Sequence, residues 1–178
     1  MAKSRRAEPL TTEEVVRAAR ALIESDGVDA CSMRKLAAAL GVQPPALYRR
    51  VKDKEELLSL VVADAFSGVK TPRHGTWQER VAETMRRLRR LVRRQPNILD
   101  LYLRSHLRDP DLTRLNERGS APLLAAGFSP EAATFALAML ATYTLGMASV
   151  SLSLDFDDEA MYEFGLTRMI EGLTPGGN

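Results

Sequence analysis

A carboxamide, a phenol and two guanidiniums stand close together at Gln43, Tyr48, Arg49 and Arg50. Groups of this kind donate in fixed geometries to base edges and phosphate oxygens. To do so they must project from a narrow, rigid element, and the flanking residues supply one. Ser32 reads as an N-cap for a helix whose Leu36, Ala37 and Leu40 form an apolar stripe, and Gly41 suits the left-handed conformation that ends it. Gln43 then precedes Pro44-Pro45, which open a second helix because proline has its φ preset for a first turn and needs no N–H there. Leu47 and Val51 give that helix a buried side. Tyr48, Arg49 and Arg50 cannot all share it, so they face outward, as on a helix that reads the major groove.

The neighbouring elements must hold this probe steady. Thr11 with Glu14 forms a capping box and Leu10 with Val15 a hydrophobic staple, starting a scaffold helix. Val15, Ala18, Ala19, Leu22 and Ile23 keep helical spacing until Ser25-Asp26-Gly27 stops it. Asp53-Lys54-Glu55-Glu56 reads as a second capping box, opening a helix through Leu57, Leu58, Leu60, Val61 and Val62. Its N-terminus, with Lys54, is suited to clamping phosphate.

From Leu22 to Leu58 the chain resembles the DNA-binding domain of the tetracycline-repressor (TetR) family of bacterial transcription regulators. Met33-Arg34-Lys35-Leu36-Ala37, Leu40-Gly41-Val42, Pro45-Ala46-Leu47-Tyr48 and Val51-Lys52-Asp53-Lys54 carry the likeness, in order and without a gap. The resemblance implies DNA contacts at Ser32, Met33, Arg34, Gln43, Pro44, Pro45, Ala46, Tyr48, Arg49, Arg50 and Lys54. Tyr48, Lys54 and the start of the helix that Ser32 caps would mainly touch phosphates. Arg34, Gln43 and Arg49 would read bases, since arginine pairs bidentately with guanine and glutamine with adenine.

Charge is divided along the chain. Residues 1–54 carry eleven Lys/Arg against seven Asp/Glu, residues 55–94 nine against five, and residues 95–178 five against eleven. The first half is suited to DNA and the second to standing off it. We expect two domains, residues 1–54 for DNA binding and 55–178 for regulation and dimerisation. Residues 1–8, with Lys3, Arg5 and Arg6, read as a mobile basic arm. The single Cys31 leaves no internal disulfide. No leader and no long uncharged apolar run is evident, which implies a soluble, cytoplasmic protein with no membrane partner.

Beyond the turn-rich segment Thr71-Pro72-Arg73-His74-Gly75, Thr76 caps a long helix to Arg94 with Trp77, Val81, Thr84, Met85, Leu88, Leu91 and Val92 on its inner face. The arginines at 86, 87, 89, 90, 93 and 94 read as a solvated outer face. A further helix runs through Ile98 to His106. From Ser129-Pro130 a helix apolar on nearly every side extends past Val150, and one more follows over Asp157 to Leu173. No alternating strand pattern occurs, so the fold is all-α. Too little chain remains to cover the apolar helix, and a second copy is expected to do so. Phe135, Met139, Thr142, Leu145, Met161 and Phe164 would form a four-helix seam about a two-fold axis.

Trp77-Gln78, Gly127-Phe128-Ser129 and Tyr143-Thr144-Leu145-Gly146 resemble the ligand-binding domain of the tetracycline-binding branch of the same family. The implied pocket holds Thr84, Leu88, Tyr102, His106, Met139 and Tyr143. Thr84, Leu88 and Val150 replace polar or aromatic drug contacts of that branch, so a largely apolar small-molecule effector is expected, with no cofactor and no metal; His106 reads as a core or rim histidine. Catalysis has little to work with. His74, His106 and Cys31 form no nucleophile–base pair, and Asp155-Phe156-Asp157-Asp158-Glu159 lacks calcium-loop spacing and reads as a solvated helix start. The expectation is therefore a homodimeric repressor of an inverted-repeat operator in double-stranded DNA, released by its effector. The rival readings are a helical adaptor or a small-molecule-binding enzyme without a DNA role.

Overall fold

Local side-chain chemistry sets most helix ends where the sequence places them. The computed structural model describes residues 9–104, 110–154 and 158–176, and within them the chain forms nine α-helices and no strand. Helix α1 (Thr12–Asp26) opens with the full Thr11/Glu14 capping box and stops at Gly27, whose φ of 84° lies in the region that favours glycine. Leu10 and Val15 of the expected staple are both buried. Helix α2 (Met33–Ala39) is capped by Ser32, and Gly41 at φ 66° turns the chain toward α3 (Pro44–Tyr48), with proline in its first turn. Helix α4 (Lys54–Ser67) departs from expectation in one detail. Asp53 accepts from the Glu56 amide, but the Glu56 carboxylate reaches back to the Lys52 amide rather than to Asp53, so the box is offset by one residue.

Helix α5 (Trp77–Arg94) has a complete Thr76/Glu79 box, and α6 (Pro96–Arg104) follows after Gln95. Helix α7 (Pro110–Ala125) was not foreseen, and it carries Pro122 in its interior. Helices α8 (Pro130–Leu154) and α9 (Glu159–Glu171) complete the chain, with the Ser129 hydroxyl accepting from the Ala132 amide at 3.1 Å. Helix α4 packs on α1 and also on α6 and α7, which makes it the element shared between the N-terminal helices and the body, while α5 lies against α7, α8 and α9.

Two expectations about charge are overturned together. The α5 arginines are not simply a solvated face: Arg89 is 5% exposed and pairs with Asp158, itself 1% exposed, and with Glu159. Arg93 bonds the same Asp158 at 2.8 Å, and Arg86 grips Glu163 through two nitrogens at 2.9 and 2.7 Å. The acidic run is thus no free helix start at Asp158 and Glu159, because the α5 cations are its counterions; residues 155–157 lie outside the described residues. Nor is a long apolar run absent, since Pro130–Ser153 has a mean hydropathy of 1.6 over its most apolar stretch and is long enough to cross a membrane by composition.

Candidate nucleic-acid interface and effector site

The apolar anchors of the helix pair point inward and everything chemical points outward. Leu36, Ala37, Leu47 and Val51 are buried in the apolar core, with α2 packed on α1 and α3 on α2. Of the expected contacts, Ser32, Arg34, Gln43, Pro45, Tyr48, Arg49, Arg50 and Lys54 are exposed, while Met33, Pro44 and Ala46 are half-buried. Tyr48 is 53% exposed, a large value for an aromatic ring and one that no packing need explains. Among the described residues, Arg34, Arg49, Arg50 and Lys54 make no ion pair, so their charges are uncommitted. A five-residue helix cannot hold its own direction. Here its end is fixed by the Arg50 and Val51 amides donating to the Leu47 carbonyl, and by the Thr12 hydroxyl of α1 donating to the Arg50 carbonyl at 3.4 Å. Thr12 was not among the expected site residues; its tie spans 38 residues and leaves no local signal. Lys35 and Lys52, also exposed, extend the same basic stretch.

At the α4 N-terminus the Glu56 amide is already taken by Asp53, and Glu55 and Glu56 occupy the first turn. Attraction for a phosphate there resides in the Lys54 ammonium more than in open amides.

The expected effector residues within the described part of the chain are distributed over α5, α6 and α8. Thr84 and Leu88 are buried on α5, and the Thr84 hydroxyl is spent on the Arg80 carbonyl at 2.7 Å. Tyr102 stacks on Phe66 at 5.3 Å, and burial pushes its phenol pKa up. Tyr143 faces α9 instead. Its ring stacks on Tyr162 at 5.6 Å, and its hydroxyl donates to the Met161 and Tyr162 carbonyls. Met139 is 42% exposed on the outer side of α8. Tyr143 thus pins α8 to α9, and Met139 stands at the surface of α8. His106 lies outside the described residues. Among those described, no group of three His, Cys, Asp or Glu could hold a metal ion.

The expected seam is exposed except at one position. Phe135, Met139, Met161 and Phe164 are 64, 42, 50 and 68% exposed, and Thr142 is exposed beside them. Leu145 is 4% exposed, turned into its own subunit's core, and is not available to a partner. Val150, at 46%, extends the apolar face along α8, two helical turns beyond Thr142. An apolar face of this extent on one side of two adjacent helices is a binding surface in search of cover.

Comparison with known proteins agrees with this layout. Residues 15–61 match the family described as bacterial regulatory proteins, tetR family, and residues 71–155 match the tetracyclin repressor-like C-terminal domain. An HTH-type transcriptional regulator of Saccharopolyspora erythraea is 32% identical over 161 residues, which are 89% of this chain and 68% of that protein. Among curated relatives the share of the relative spanned falls as low as 58%. The crystal structure of the Streptomyces coelicolor TetR family protein ActR in complex with (S)-DNPA superimposes with a TM-score of 0.82 at 26% identity, covering 96% of this chain and all of that one. BioQ with its double-stranded DNA operator gives 0.75 at 27% identity, covering 92% and 97%. An N-terminal helix pair with uncommitted cations, joined through α4 to a helical body of this match, assigns the chain to the TetR family of transcriptional regulators, which are not enzymes.

Proposed function

We propose that the protein is a homodimeric, cytoplasmic repressor that binds an inverted-repeat operator and leaves it when a largely apolar small molecule binds its body. The observation that carries this reading is the short outward helix α3, with Tyr48, Arg49 and Arg50 exposed and unpaired beside Lys54. In the division we favour, residues 1–54 contact DNA and residues 55–178 regulate and dimerise, with α4 as the connecting element. Arg34, Gln43 and Arg49 read base edges; Ser32, Met33, Pro44, Pro45, Ala46, Tyr48, Arg50 and Lys54 set position on the backbone. A second copy covers Phe135, Met139, Thr142, Met161 and Phe164, which places two recognition helices in successive major grooves about 34 Å apart. The effector acts by preferring the conformation in which that spacing is lost, and operator DNA must weaken effector binding by the same factor. Its site lies beside buried Thr84 and Leu88, where few free polar groups are on offer. Related folds have been solved with an operator in BioQ and with (S)-DNPA in ActR, which supports both arms of the reading. Selection of bound sequences from random DNA tests it: the expected product is an inverted repeat, and recovery of unrelated sequences at every salt concentration contradicts it.

A further inference from the structure

We infer that a cleft between α1, the C-terminal end of α4 and the last turns of α5 is a second small-molecule site, one that takes an organic anion. The cleft is open to solvent and has a volume of about 470 Å³, within the range of small-ligand pockets. Its wall on α5 comes from Arg87, Arg90, Leu91 and Arg94, which share one helical face, and the opposite wall carries Arg20 of α1. Cations there outnumber their counterions. Arg87 and Arg90 bond the same oxygen of Glu83, at 2.9 and 2.8 Å, so two guanidiniums share one carboxylate. Arg94, one turn beyond Arg90, is exposed and has no partner among the described residues. Arg20 is more fully committed, to Glu24, Asp64 and the Gln95 side chain. Three arginines against one glutamate on the α5 side leave positive charge unspent.

The rest of the lining limits the occupant. Ala65, Val69 and Leu91 supply an apolar floor, which a bare inorganic ion would leave wet and a carboxylate carrying a ring would cover. DNA is a poor occupant, because the cleft sits at the Ser67 end of α4 while Lys54 marks the other, about 20 Å away along a helix of 14 residues. The ligand is therefore a compact aromatic or branched carboxylate, its charged end forked on Arg94 and Arg90.

The test uses the full chain without DNA, titrated calorimetrically with sodium benzoate, with neutral benzamide and with inorganic phosphate. One benzoate per chain is expected, about tenfold tighter than benzamide and tighter than phosphate. R94Q should weaken benzoate by about tenfold and R90Q should also weaken it, while R73Q, in the segment before α5, leaves it unchanged. All three side chains are exposed, and circular dichroism melts report that the variants remain folded. Equal binding of benzoate and benzamide, phosphate binding as well as benzoate, or benzoate binding that survives R90Q and R94Q would each overturn the assignment. With no DNA in the cell, none of these outcomes bears on operator recognition.

Discussion

At the scale of single residues, the interface separates side chains that inform from those that only attract. Arg49→Ala is expected to change which sequence is preferred, with about 1–3 kcal/mol lost at the base it reads. Lys54→Ala should weaken all sequences alike and flatten the slope of log affinity against log salt by about one. Competitive binding on randomised duplexes distinguishes the two, and an unchanged preference for Arg49→Ala removes it from the base readers. A different residue governs behaviour at high pH. Tyr162 is fully buried beneath Arg89, whose guanidinium lies 4.5 Å from its ring, and its hydroxyl pairs with Thr144. Burial is the main cause that pushes its pKa up to about 12 from 10.0. The raised value means the folded state holds the proton longer than the unfolded chain, so this stability is whole below pH 10 and is lost as pH rises toward 12. Chemical denaturation across that window should show stability falling, by no more than about 2–3 kcal/mol from this group, and Tyr162→Phe should reduce the slope.

At the scale of elements, the helices α5, α8 and α9 are locked by contacts between distant residues. Gly165 allows α9 to approach Tyr143, since a Cβ there would lie 2.1 Å from the phenol oxygen. Gly165→Ala must therefore displace α9 or the ring, and a loss of about 1–3 kcal/mol in denaturant melts is expected. Asp158→Ala should be at least as damaging, by about 2–4 kcal/mol, because it leaves buried Arg89 with Glu159 as its remaining carboxylate and takes from Arg93 its partner. If Asp158→Ala melted like the parent, the ion pair would contribute nothing to the body. The same contacts explain what the sequence concealed. Caps at Thr11, Ser32, Asp53 and Thr76 and the turn at Gly41 act over three or four residues, so they were legible. Arg89 and Asp158 are 69 residues apart, and each alone looks like a surface charge. Helix α7 escaped notice because Gly119 and Pro122 punctuate its sequence, although tertiary packing against α4, α5 and α8 overrides both. Likewise the helical repeat of α8 established that it was apolar all round, but could not say that Leu145 faces its own core and Met139 the outside.

At the scale of the whole molecule, the apolar face of α8 and α9 and the cationic face of α3 depend on each other. One copy presents one recognition helix; only a two-fold pair fixes the spacing that an inverted repeat demands. Phe164→Asp, or the same change at Phe135, alters an exposed side chain and should leave the helical circular dichroism intact. It should nevertheless shift the protein to monomer in sedimentation and reduce operator affinity by at least about tenfold, whereas a persistent dimer would place the seam elsewhere. The most direct measurement is the mass of the complex formed on the selected duplex, by sedimentation or light scattering at physiological salt. The account predicts two chains on one inverted repeat, with binding abolished when the half-sites are moved by half a helical turn; one chain per duplex, or equal binding to the respaced site, would contradict it.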